Sequence, residues 1–333
     1  MQIINNRIKM IINLYCFGSD NLLTIRKSVM ITILNILTCA SIFILINICG
    51  IINAKISIFT QENINMKILS FVGIKGGIGK TTLSYNYGEW LATKGKKVLF
   101  IDLDHQSNLS QTYNVYDQDG TVGVIFTGNG QIKIHHVGDN IDLIAGDMHL
   151  DDIETSIENN TNKNMLLYMW LSDNYDSLNL GQYDYVIIDC HPDFSTATKN
   201  AIIVSHDILS PITPSEHGYN AKFNLQERIN EFKKEAIDYT TRKSYVTAQL
   251  WFVANMIKHN TRSSHDLMDA LKTEREKGDN SCIAVIPEKE LFNRSTLDHE
   301  SIAKMAEEHT IYNRQREFFD EIDSTFTKIT DKL

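Results

Sequence analysis

Cysteine is scarce and poorly spaced for metal work. Cys16, Cys39, Cys49, Cys190 and Cys282 are the five in 333 residues, with no CxxC pair and no Cys/His metal spacing. Zinc and iron–sulfur readings therefore have little support, and a reduced thiol state is the default. Basic charge is also short. Residues 1–65 hold Arg7, Lys9, Arg26, Lys27 and Lys55 against Asp20 and Glu62. Taking these from the totals of 32 basic and 41 acidic residues leaves 27 and 39 from Met66 on, a formal charge of −12. Such a domain repels phosphate through its net field, so any DNA binding requires a local basic patch. Repeats and low-complexity linkers are absent after Met66, and the length allows one large α/β core or two modest ones.

What is present is a glycine loop. The apolar run Ile68-Leu69-Ser70-Phe71-Val72 leads into Lys75-Gly76-Gly77-Ile78-Gly79-Lys80-Thr81-Thr82 and then into a segment with helical character. Glycines without Cβ atoms let the backbone curl and aim successive N–H groups inward at the positive end of the following helix, a nest for anions. A triphosphate suits that geometry. Lys80 is placed to reach the β- and γ-phosphates, Thr81 to complete the coordination of Mg²⁺, and Thr82 to add a contact to the α-phosphate. The usual loop has a glycine where Ile74 stands here; this one has a second lysine, Lys75, instead.

Strand and helix alternate from Met66 onward, which predicts a doubly wound α/β fold, a mainly parallel sheet with helices on both faces. Strands are expected at about 68–72, 97–102, 141–145, 185–189, 208–212, 249–254 and 282–286. Helices are expected at about 80–93, 148–158, 164–176, 217–238 and 262–276, with a helical C-terminus presenting Ile311, Phe318, Phe319, Ile322, Phe326 and Ile329 on one face. Residues 113–140, punctuated by Gly and Asp, read as loops or a small insertion. Tyr185–Asp189, apolar until its final acid, reads as a central strand buried on both faces.

Two further motifs sit at predicted strand ends, which in a parallel sheet face the ligand crevice. One is Phe100-Ile101-Asp102-Leu103-Asp104-His105-Gln106-Ser107-Asn108, whose alternation puts Asp102 and Asp104 on the same side. The other is Tyr183-Asp184-Tyr185-Val186-Ile187-Ile188-Asp189-Cys190-His191-Pro192. A bare Asp189 carboxylate after four apolar residues is costly unless it meets a cation or a shell of water, and hydrated Mg²⁺ supplies both.

The KGGIGKTT loop resembles that of the ParA/MinD family of dimeric ATPases. The Asp102–Asn108 stretch is similar to that family's DLDPQGN, and the Asp189 run to its YDYIIIDCPP. His105 and His191 depart from the family's prolines. The resemblance covers 66 to about 316 and implies a P-loop ATPase using ATP and Mg²⁺. It gives Asp104 the positioning of the attacking water, Asp102 support of Mg²⁺ through water, Asp189 the metal, and Lys75 a role across an ATP-bound homodimer interface. It further places Asn255 at the adenine edge and Pro287 beside the base. By the same resemblance the chain is a partition ATPase of the short type, without an N-terminal helix-turn-helix domain. It would be cytoplasmic and nucleoid-associated, binding DNA without sequence preference and acting with a ParB-like centromere-binding partner in plasmid or chromosome segregation. A MinD-like role at the membrane is the alternative. It needs a basic amphipathic tail, whereas Arg316-Glu317-Phe318-Phe319-Asp320-Glu321 is acidic on its polar side, so the membrane is not an expected partner of 66–333.

Candidate phosphate contacts on DNA are Lys272, Arg275 and Lys277 on one predicted helix, with Arg294 nearby in sequence. Residues 28–54 carry no charge and are long enough to span a bilayer. Basic residues lie mainly before them, an orientation that would put the ATPase outside the cytosol. The expectation is that 1–65 is an apolar extension upstream of the true start at Met66. A membrane segment at 28–54 and a cleaved signal segment are the other readings.

Overall fold

The computed structural model describes residues 66–333. The apolar stretch at 28–54 lies outside them, and among the described residues no helix is long and apolar enough to cross a membrane.

Eight strands form one sheet in the order β3-β4-β2-β5-β1-β6-β7-β8. They are β1 (Lys67–Phe71), β2 (Val98–Leu103), β3 (Ile134–Gly138), β4 (Ile141–Ile144), β5 (Tyr185–Cys190), β6 (Asp207–Ile212), β7 (Gln249–Ile257) and β8 (Cys282–Pro287). All neighbours pair in parallel except β3, which runs antiparallel to β4 at the sheet edge. β5 lies between β1 and β2, as its unbroken apolar run requires; Val186 to Cys190 are fully buried.

The first helix, α1 (Lys80–Thr93), occupies the predicted span, and Gly95 ends it in the left-handed conformation with φ 78°. Short helices α2 (Asn108–Thr112), α3 (Gly123–Thr127) and α4 (Leu150–Ser156) follow, then α5 (Leu166–Asn174), α6 (Thr196–Val204), α7 (Glu216–Glu235) and α8 (Arg262–Glu276). The C-terminal part is α9 (Glu290–Leu297), α10 (Ile302–Met305), α11 (His309–Arg314) and α12 (Arg316–Lys332). The segment 113–140, expected to be loop or insertion, contains α3 and β3.

β1 connects leftward to β2 through α1, while β5, β6 and β7 connect rightward through α6, α7 and α8. Right-handed crossovers therefore put α1 on one face and α6, α7 and α8 on the other. The order reverses beside β1, and the crevice at this switch point is where such sheets take ligands. On the α1 face, α9, α10 and α12 cover the sheet. α12 buries Phe318, Phe319, Ile322, Phe326 and Ile329, with Phe326 edge-on to Tyr87 at 5.4 Å. Polar contacts fix the same helices to α1. Asn86 donates to Ser295 Oγ and accepts from the Ile302 N–H, both at 2.8 Å, and Trp90 donates to Asp323 at 2.8 Å. On the opposite face, buried Lys222 of α7 pairs with Glu274 of α8 and, at 2.8 Å, with Asp279.

Candidate nucleotide site

The loop between β1 and α1 is built as an anion cradle. Gly77 and Gly79 have φ of 71° and 87°, the left-handed region that L side chains avoid. Gly79 also needs its hydrogen for space, since a Cβ there would lie 2.5 Å from Asn255 Nδ2. Asn255, at the end of β7, donates to the Ile78 carbonyl at 2.8 Å and so ties this strand to the loop. Met256, next to it, takes φ 59° at an irregularity in the β7–β8 pairing, a backbone strain of about 1–3 kcal/mol for a non-glycine residue. A cavity of about 80 Å³ opens beside Gly79, bordered by Thr82, Asn255, Pro287 and Phe292. It brings together Asn255 and Pro287, the two residues expected near the base, although the Asn255 amide donor already serves the loop.

Lys80 begins α1 and is 7% exposed, with Asp104 at 5% and Asp102 and Asp189 at 0%. Burial pulls the Lys80 ammonium below its usual range, and the charges of Asp189, Cys190 and Asp104 oppose that. Burial pushes Asp189 up to about 8, with the Asp102 charge adding to the effect and Thr81 and Lys80 acting against it. Both Asp189 oxygens are buried without a hydrogen-bond partner of ordinary geometry. A carboxylate left bare beside a lysine and a threonine hydroxyl fits an ion that brings its own waters.

Asp102 differs from Asp189 in this respect. Its oxygens accept from the Ser110 N–H at 2.9 Å, the Ser110 hydroxyl at 2.7 Å and the Asp104 N–H at 3.1 Å. Burial still raises it to about 6, with those bonds pulling the other way. The contacts make it the anchor of the loop after β2 rather than a carboxylate free for direct ligation, so any support it lends a metal passes through water. Asp104 accepts from the Gln106 N–H at 2.8 Å within that loop.

Lys75 is half-buried at the start of the glycine loop, and among the described residues it makes no ion pair. The four basic residues proposed for DNA do not form one patch. Lys272, Arg275 and Lys277 lie on or just after α8, whereas Arg294 lies on α9, which packs on α1 across the sheet. Arg294 is also paired with Asp298 at 2.9 Å. Sequence proximity misled here because β8 passes between the two helices and reverses the face.

Strand, glycine loop and helix, with a buried lysine and a bare aspartate at the carboxyl ends of adjacent parallel strands, define a P-loop nucleotide-binding protein. Residues 66–241 match the AAA_31 family of AAA domains, and the chain belongs to that family. Its relatives include proteins named as ParA-family, such as the virulence plasmid ParA family protein pGP5-D of Chlamydia trachomatis, 34% identical over 176 residues, 51% of this chain and 64% of that one. The chain is 32% identical over 170 residues to the sporulation initiation inhibitor protein Soj of Bacillus subtilis, covering 49% of this chain and 64% of Soj. The match spans about half to two thirds of the length of several such relatives. In fold, the chain is similar to a Borrelia burgdorferi plasmid partition protein bound to AMPPNP, with TM-score 0.62 and 21% identity over 80% of this chain and 99% of that one. It is also similar to the septum site-determining protein MinD of Pyrococcus horikoshii complexed with Mg-ADP, with TM-score 0.55 and 19% identity over 80% of this chain and 95% of the other.

Proposed function

We propose that the protein is an ATP-dependent DNA partition ATPase. It binds ATP with Mg²⁺, closes into a homodimer with two nucleotides sandwiched at the interface, and coats DNA without sequence preference. Hydrolysis, stimulated by a ParB-like centromere-binding partner, releases it, and the protein is cytoplasmic and nucleoid-associated. The observation that carries this reading is the buried trio of Lys80, Asp104 and Asp189 beneath a loop whose second lysine, Lys75, has no ion-pair partner among the described residues.

The residues divide the work by their surroundings. The loop N–H groups and Lys80 hold the phosphates, while Thr81 and Asp189 are the groups that would hold Mg²⁺. The ion, when bound, offsets phosphate charge as it develops. Asp104, fixed by the Gln106 N–H and by a loop that Asp102 anchors, orients the attacking water. Asn255 and Pro287 border the base. Lys75 belongs to the second subunit's phosphates, because a lysine beside Lys80 is better offset by charge from a facing triphosphate than by the one Lys80 already serves.

A MinD-like membrane role has less support. Its tail would need a free apolar face, and α12 has Phe318, Ile322 and Phe326 buried in the core.

Co-sedimentation of the full chain with DNA tests the proposal, using ATP, ADP and no nucleotide in parallel. DNA should carry down the protein with ATP alone. Equal binding in all three conditions, or none in any, would overturn it.

A further inference from the structure

Both histidines that depart from the family's motifs come together. His105 follows β2 and His191 follows β5, and their rings lie with centroids 4.1 Å apart at an angle of 39°. One ligand atom from each of Asp104, His105 and His191 lies within 4.8 Å of the others. Each ring has a carboxylate close to its Nδ1. His105 Nδ1 is 3.1 Å from Asp151 Oδ1, and His191 Nδ1 is 3.0 Å from Asp193 Oδ2. Asp193 is fixed in turn by the Ser195 N–H at 3.1 Å and the Thr198 hydroxyl at 3.2 Å. The His191–Asp193 contact is a hydrogen bond, and an imidazole whose Nδ1 donates to a carboxylate has its tautomer and direction set, with a lone pair left on the other nitrogen. That is the support which metal-binding histidines have. Asp151 lies at ion-pair distance from His105 without a hydrogen bond of ordinary geometry.

We propose that Asp104, His105 and His191 form a second cation site, separate from the Mg²⁺ position at Asp189, for a first-row transition ion such as Zn²⁺. The donor set decides the class of ion. Two imidazoles and a carboxylate suit Zn²⁺ or Co²⁺, whereas Mg²⁺ takes oxygen ligands and retains its waters. Three protein ligands leave a fourth position for water. The consequence for activity rests on the ATPase reading above. Since Asp104 there orients the attacking water, an ion that takes its carboxylate withdraws it from turnover, and the site is inhibitory. The site itself stands on the geometry alone.

The full chain, stripped by chelator and kept in saturating Mg²⁺ without nucleotide, is titrated with Co²⁺ and followed by visible absorption. One Co²⁺ per chain should bind and be displaced by Zn²⁺. His105→Ala and His191→Ala should each weaken binding by about 100-fold or more, and Asp151→Asn, which removes only the carboxylate beside His105 on an exposed helix, by about 10-fold. Binding of a fluorescent ATP analogue shows that each variant is folded. Absence of Co²⁺ binding by the unaltered protein, or binding that neither histidine variant weakens, would overturn the site. Zn²⁺ should also suppress hydrolysis in the unaltered protein but not in His105→Ala. Bound Zn²⁺ that leaves hydrolysis untouched would overturn the inhibitory role. A metal-free protein that fails to hydrolyse ATP would count against the ATPase reading, while the Co²⁺ titration would still report on the site.

Discussion

Asp102 and Asp189 are register partners on adjacent strands, equally buried, yet differently equipped. Asp102 has three hydrogen bonds from its own loop, and Asp189 has none of that kind. A pH dependence follows from Asp189. Its folded pKa of about 8 lies above the unfolded value of 3.8, so between these limits the folded state holds a proton that the unfolded state has lost. Stability of the nucleotide-free protein should therefore fall as pH rises from about 4 to about 8, with Asp102 adding the same sign between about 4 and 6. Asp189→Asn should flatten much of that fall in thermal melts and also abolish Mg²⁺-dependent nucleotide binding. A variant melting profile parallel to that of the unaltered protein would contradict the assignment. Asp104→Ala should bind ATP within a few-fold of normal and lose turnover by about 100-fold or more, the usual scale for a positioned acid–base group. Loss of ATP binding itself in a nucleotide titration would make the residue structural. The meeting of Lys80, Thr81, Asp104 and Asp189 at one crevice was legible because a loop and two strand ends announce themselves over a few residues. The Asn255 bond to Ile78, across 177 positions, had no local signal, and neither did the meeting of His105 with His191.

At the scale of elements, α1 is the hub. Its N-terminus forms the cradle, while Asn86, Tyr87 and Trp90 fasten α9, α10 and α12 to it. Phe326→Ala should therefore destabilise the fold by about 3–5 kcal/mol, because it removes the ring packed against Tyr87 and leaves a cavity. Asn86→Ala should cost about 1–3 kcal/mol by leaving the Ile302 N–H unmet in the core. Urea unfolding measures both, and a change below about 0.5 kcal/mol in either would show that α1 does not organise the C-terminal helices. Periodicity made α8 and the apolar face of α12 readable in the sequence, whereas α1, buried nearly all round, was marked by the glycine loop before it and Gly95 after it. The segment 113–140 was not, for a physical reason. β3 is a half-exposed edge strand, Ile-His-His-Val-Gly, without apolar alternation, and α3 is only five residues long, so neither produces a period to detect.

For the whole molecule, the acidic balance opposes DNA, so the proposed DNA binding needs a local basic patch. The fold was legible from the alternation of strands and helices. A candidate DNA surface was not, because residues near in sequence, such as Arg275 and Arg294, lie on helices that β8 separates onto opposite faces. Lys272 and Lys277 remain exposed on the α8 side, and charge reversal at both should lower the salt slope of any ATP-dependent DNA binding by about two, one for each phosphate no longer neutralised. An unchanged slope in binding assays across salt would move the DNA surface elsewhere.

In the proposed mechanism ATP switches the protein to a dimer in which Lys75 acts across the interface. Light scattering on the full-length Asp104→Ala protein, with and without the added Lys75→Ala change, tests it most directly. The expected result is a dimer with ATP and a monomer with ADP for the single variant, and a monomer with either nucleotide for the double variant, whose ATP affinity stays within a few-fold. An ATP-bound dimer that persists without Lys75, or a single variant whose mass is the same with ATP and ADP, would contradict it.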